Sequence, residues 1–165
     1  MMKKGFTLVE FVIYLTLVSL VLTSLVIWIL SLGAVRDKNY VAVEVEANAQ
    51  IVTSIIAREV RAATAIVNPP AGSAATVLEL TRPSPEPGRK FELLDGVLWL
   101  TTAGQAAVQV SGGAVELTNL LFTNLAEPND ARDNLRASFT LRYREPASAD
   151  FAYEIEVRTV ISLRQ

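Results

Sequence analysis

The residue with the most chemistry to explain is Glu10, the only charge between Phe6 and Val35. A carboxylate inside an apolar helix costs about 2.5 to 3.5 kcal/mol at a bilayer centre, so it requires a partner or an interfacial position. The bland account is attraction to the positive end of its own helix. Around it lie Lys3, Lys4, Gly5 and Phe6, a short basic segment closed by glycine and an aromatic.

Most other chemistry is absent from the inventory. The 165 residues include no Cys and no His, which excludes thiolate nucleophiles, disulfides, His-ligated metals or haem and a Ser-His-Asp relay. No enzymatic activity, cofactor or metal site is expected. The formal charge of −2 lacks the basic excess that phosphate binding requires.

The element that must position Glu10 is a long helix. Phe11 to Val35 is 25 residues without Asp, Glu, Lys or Arg, enough to cross the roughly 30 Å hydrocarbon layer. Lys3 and Lys4 precede it, while Arg36, Asp37 and Lys38 after it nearly cancel, so the amino terminus should remain cytoplasmic and the rest lie outside. A secretory signal cut between Gly33 and Ala34 is the competitor, but its apolar core would run only about 7 to 15 residues. Thr16, Ser19, Thr23 and Ser24 read as helix-packing residues.

The stretch Lys3-Lys4-Gly5-Phe6-Thr7-Leu8-Val9-Glu10, followed by its apolar helix, resembles the leader junction of type IV pilins and type II secretion pseudopilins. The resemblance implies cleavage between Gly5 and Phe6 by a prepilin peptidase, whose cleft a glycine backbone can enter in extended form, and N-methylation of Phe6, whose new amine would stand four residues, one helical turn, before Glu10. It further implies pairing of Glu10 with the terminal amine of a neighbouring subunit, which would make a costly charge a register signal. Losing Lys3 and Lys4 takes the formal charge from −2 to −4, before the new amine is counted. Implied partners are other pilin or pseudopilin subunits, the inner-membrane assembly platform and membrane lipid. The implied location is the inner membrane, with a periplasmic or extracellular head, and then a filament. A more local similarity, Ile55 to Ile66 around Arg58-Glu59-Val60-Arg61-Ala62-Ala63, is to minor pilins of the W type and J-type pseudopilins. The absence of Cys, and Ile27 where major pilins often carry proline, favour a minor subunit near the tip. Pilus, secretion pseudopilus and DNA-uptake filament stay open. A membrane-anchored adhesin or DNA-binding receptor is the alternative.

Downstream, Val41, Val45, Val52, Ile56, Val60 and Ala63 follow one helical stripe, predicting an amphipathic continuation to Val67 before Asn68-Pro69-Pro70 stops it. Gly33 is a candidate bend. The expected organisation is a leader over 1–5, a membrane or filament-core helix over 6–35, its amphipathic half over 36–67, and a sheet head over 68–165. In the head, Asp95-Gly96 signals a hairpin between Phe91–Leu94 and Val97–Leu100. Leu135 to Arg144 and Phe151 to Leu163 alternate as strands, predicted to oppose Arg142 and Arg144 to Glu154 and Glu156. The fold class is α+β, with one antiparallel sheet packed on the helix stripe.

Functional features in the head are weak. Arg132, Arg136, Arg142, Arg144, Arg158 and Arg164 hint at DNA, yet Asp130, Asp133, Glu145, Asp150, Glu154 and Glu156 match them in number. Asn129-Asp130 to Asn134 offers oxygen atoms but lacks the spacing of a calcium loop. Trp99 reads as core filling.

Overall fold

The computed structural model describes residues 7–126, 134–144 and 152–163, with the side chains of 32–38 excepted. Lys3, Lys4, Gly5 and Phe6 fall outside the described residues, as does most of the loop from Asn129. The chain divides into two compact units, Met1–Tyr40 and Val41–Gln165.

The backbone of helix α1 runs from Leu8 to Arg61, 54 residues without an interior proline. In the first unit it holds an apolar span, Leu8–Ser31, with a mean hydropathy of 2.5 and no burial within the chain. Among the described residues, one helix is therefore long and apolar enough to span a membrane.

The second unit is α+β. The amphipathic part of α1 buries Val41, Val45, Val52, Ile56 and Val60, the stripe expected from spacing, and Ala63, just past the helix end, is buried as well. The helix ends at Arg61, short of Val67, because Ala65–Asn68 becomes strand β1. Thr64 donates its N–H to the Thr81 carbonyl at 2.8 Å. The β-branched Thr64, Ile66 and Val67 fit that extended path better than a helix. Pro69 then restricts Asn68 to extended backbone, and the Asn68 amide donates to the Val77 carbonyl at 2.6 Å.

The strands that follow are β2 (Ala74–Ala75), β3 (Leu78–Thr81), β4 (Arg89–Leu94), β5 (Val97–Thr102), β6 (Val108–Gln109), β7 (Val115–Asn124), β8 (Asn134–Tyr143) and β9 (Glu154–Ser162). They form two antiparallel sheets, correcting the single sheet expected: β1-β3-β4-β5-β6 and β2-β7-β8-β9. Alternation identifies strands and their inner faces but carries no information about which edges pair. Both sheets contribute to the core, with Leu78, Phe91 and Leu98 from the first and Leu117, Phe122, Leu135, Phe139 and Leu141 from the second.

The hairpin at Asp95-Gly96 has φ values of 52° and 73°, as a two-residue turn of primed type demands. That turn also joins the sheets, since the Leu117 N–H donates to the Gly96 carbonyl at 2.8 Å. Trp99 departs from expectation. It faces away from buried Leu98, opposite Glu92 and Gln109, and is half-buried. Strand parity decides this: Phe91, Leu93, Leu98 and Leu100 take the inner side.

Candidate functional site

The helix start brings two residues together. Thr7 accepts the Glu10 backbone N–H on its hydroxyl at 3.3 Å, and its carbonyl accepts the Phe11 N–H at 3.1 Å. Thr7 is thus the N-cap and Glu10 the third helical residue, the pattern of a capping box. Sequence reading did not single out Thr7, although Thr-x-x-Glu before an apolar run was the signal available. Glu10 is exposed in the first turn, where the helix dipole favours its negative charge. That cap fixes the turn, leaving the carboxylate available to an external cation.

Beyond Glu10 the surface is apolar through Ile29 and Leu30. The hydroxyls of Thr16, Ser19 and Thr23 are satisfied within the helix: Thr16 donates to the Val12 and Ile13 carbonyls, Ser19 to Leu15 and Thr23 to Ser19, at 2.8 to 3.0 Å. Such back-bonding satisfies these polar groups inside the helix and leaves short side chains on its surface at 16, 19 and 23.

In the second unit the charged groups are structural. Glu59, in the last turn of α1, is buried with a side chain only 5% exposed. Arg82, just after β3, and Arg89, at the start of β4, both donate to its Oε2, while the exposed Arg58 reaches Oε1 at 3.2 Å. Burial acts to raise the Glu59 pKa, but hydrogen bonds and charge from Arg82, then Arg58, outweigh it and hold the carboxyl below its usual range. Arg82 also meets Glu86 at 3.0 Å. The cluster ties the helix end to the proline-rich loop, a role that only the fold reveals.

Asn48 makes a second tie. It is buried within the apolar stripe, accepts the Gly112 N–H at 2.8 Å and donates to the Glu44 carbonyl at 2.9 Å.

The predicted ion pairs on the sheet surface are redistributed. Arg142 does stand opposite Glu154, but β8 is an inner strand, and the guanidinium turns to Glu116 on β7 at 2.7 Å. Glu156 stands opposite Thr140 and pairs with Arg158 along its own strand at 2.7 Å. Arg144 donates to the Asp95 carbonyl at 3.3 Å. Arg142 and Arg158 are thus matched by acids. Among the described residues no group of three or more acids could hold a metal. Arg132 and Asp133 lie outside the described residues. No family model, curated protein or solved structure matches this chain.

Proposed function

We propose that this chain is a structural, non-enzymatic minor pilin or pseudopilin, held in the inner membrane until a prepilin peptidase releases residues 1–5 and the subunit enters a filament near its tip. The observation that carries the reading is one carboxylate, Glu10, in the capped first turn of an otherwise charge-free apolar span. A polar group in that position is costly unless a cation meets it, and an amine at Phe6 of a neighbouring subunit is the cation that cleavage at Gly5 would create. Membrane residence and assembly would use the same apolar surface, with lipid exchanged for other helices. The small positions at Thr16, Ser19 and Thr23 suit close helix contact. The matched charges of Arg142 and Arg158 give no support to DNA as the principal ligand.

Intact mass and amino-terminal sequencing of the protein from its native membrane test the processing step. A mature chain beginning with methylated Phe6 is expected; one beginning at Ala34, or retaining Lys3 and Lys4 within a filament, overturns it. Gly5→Asp should block removal of the leader.

A further inference from the structure

Strand alternation turns Trp99, the one tryptophan of residues 41–165, to the outer face of its sheet. The register gives it fixed company. Glu92 on β4 and Gln109 on β6 stand directly opposite it on either side, and the next outward row holds Glu79, Lys90 and Thr101 side by side on β3, β4 and β5. One indole is thus set among five polar side chains, in two rows about 7 Å apart. The face is open: the Lys90 and Glu92 side chains are 41% and 25% exposed and bridge the rows through an ion pair at 2.7 Å. Beside them lies a cavity of about 320 Å³, walled in part by Val67, Glu79, Lys90, Thr101 and Ala103. Ligand pockets span about 300 to 1,000 Å³, so this one suits a single small ring.

The charges select among ligands. Glu79 and Glu92 outnumber Lys90 on these two rows, so the face repels phosphate, sulfate and nucleic acid. Lys90 stands next to both acids, and the hydrogen bond and charge of Glu92 hold its pKa above the usual range. That fixed ammonium opposes a cation over the indole. What remains is an uncharged molecule with one apolar face and a rim of hydroxyls. The indole offers a negative π face to polarised C–H groups. Glu79 accepts hydrogen bonds, Lys90 donates them and Thr101 does both. Gln109 uses one amide N–H on the Ser111 carbonyl at 2.7 Å, which pins the side chain and leaves its oxygen as an acceptor.

We propose that the outer face of this sheet binds neutral glycans, with one pyranose ring stacked on Trp99 and hydroxyls of the adjoining unit in the cavity between Glu79, Lys90 and Thr101. The stacked ring supplies most of the affinity. The polar rim sets orientation, and the excess of acid sets the preference for uncharged over acidic sugars. Neither the helix start nor any processing event enters this inference, so it stands or falls separately from the filament role.

The test uses the full chain in polyoxyethylene-ether micelles, which carry no sugar, with cellotetraose, mannotetraose and galactotetraose as probes. In a Trp28→Phe background Trp99 is the sole indole, and its emission should change saturably with at least one probe, at about millimolar concentration. Saturation-transfer NMR then follows the variants. Trp99→Ala should weaken binding about tenfold or more, whereas Trp99→Tyr, which keeps a ring, loses less. Val67→Phe, at an exposed position on the cavity wall, fills the cavity and should weaken binding about threefold or more without touching Trp99. It also keeps the proposal open to refutation if Trp99→Ala unfolds the sheet. Three results overturn the proposal: no saturable binding of any probe, undiminished binding by both Trp99→Ala and Val67→Phe, or tighter binding of heparin or tetramethylammonium than of every neutral probe.

Discussion

Replacing Glu59 by Gln should be among the most damaging single changes in the 41–165 unit. It removes the negative charge shared by Arg82 and Arg89, whose side chains are 11% and 20% exposed, while the carboxylate itself is 5% exposed. Breaking a buried pair by deleting one partner costs about 3 to 5 kcal/mol, because a poorly hydrated charge is left behind. Three features place this case at the lower end. Arg82 retains Glu86, Arg89 keeps some water, and the amide of Gln can still accept one hydrogen bond. Arg58 adds little, since it is 70% exposed. The expected loss is about 3 kcal/mol, or about 10 °C in Tm for a unit of this size. Urea unfolding can be followed through Trp99 fluorescence in a Trp28→Phe background, because those are the only two tryptophans. The difference should also depend on pH with a definite sign. Because the folded Glu59 pKa is depressed, its contribution is complete above the unfolded value near 4.3 and is lost as pH falls through the lower folded value. The gap between wild type and Glu59→Gln should be flat from neutrality to about pH 5 and shrink in more acidic solution. A loss under about 1 kcal/mol would place the cluster with ordinary surface pairs and refute the reasoning, as would a gap that narrows on raising the pH.

Glu10→Ala should leave membrane insertion and leader removal unchanged while lowering incorporation into filaments; equal incorporation of mutant and wild type in a co-expression pull-down would refute its pairing role. Thr7→Val removes the cap at the helix start and should cost about 1 kcal/mol locally, read as faster amide exchange over Leu8 to Phe11. Gly112→Ala would bring a Cβ to 2.6 Å from the Asn48 Oδ1, so the buried amide must give up its hydrogen bond; a loss of about 1 to 3 kcal/mol in urea unfolding is expected. Gly96→Ala forces a side chain into a φ of 73° and against the Glu116 side chain, and should destabilise the hairpin by about 1 to 2 kcal/mol.

Periodicity and side-chain type were enough to read some features from the chain alone. The stripe from Val41 to Ala63, the inner face of β8 and the Asp95-Gly96 turn all come from local rules: helical spacing, strand alternation and the need for positive φ. The prominence of Glu10 is equally local, since a lone charge in an apolar run is visible without any structure. Three other features were decided by the tertiary structure. Ile66 and Val67 fit a helical pattern until Thr81 offers backbone partners, so the helix ends at Arg61. Arg142 faces two acids once β8 lies between β7 and β9, and the choice of Glu116 over Glu154 is one of side-chain geometry. Glu59 looks like a surface acid until Arg82 and Arg89, 23 and 30 residues away, close over it. Spacing along a chain specifies which face a residue occupies, but only the folded arrangement specifies what meets that face, because contacts between distant segments have no fixed separation in sequence.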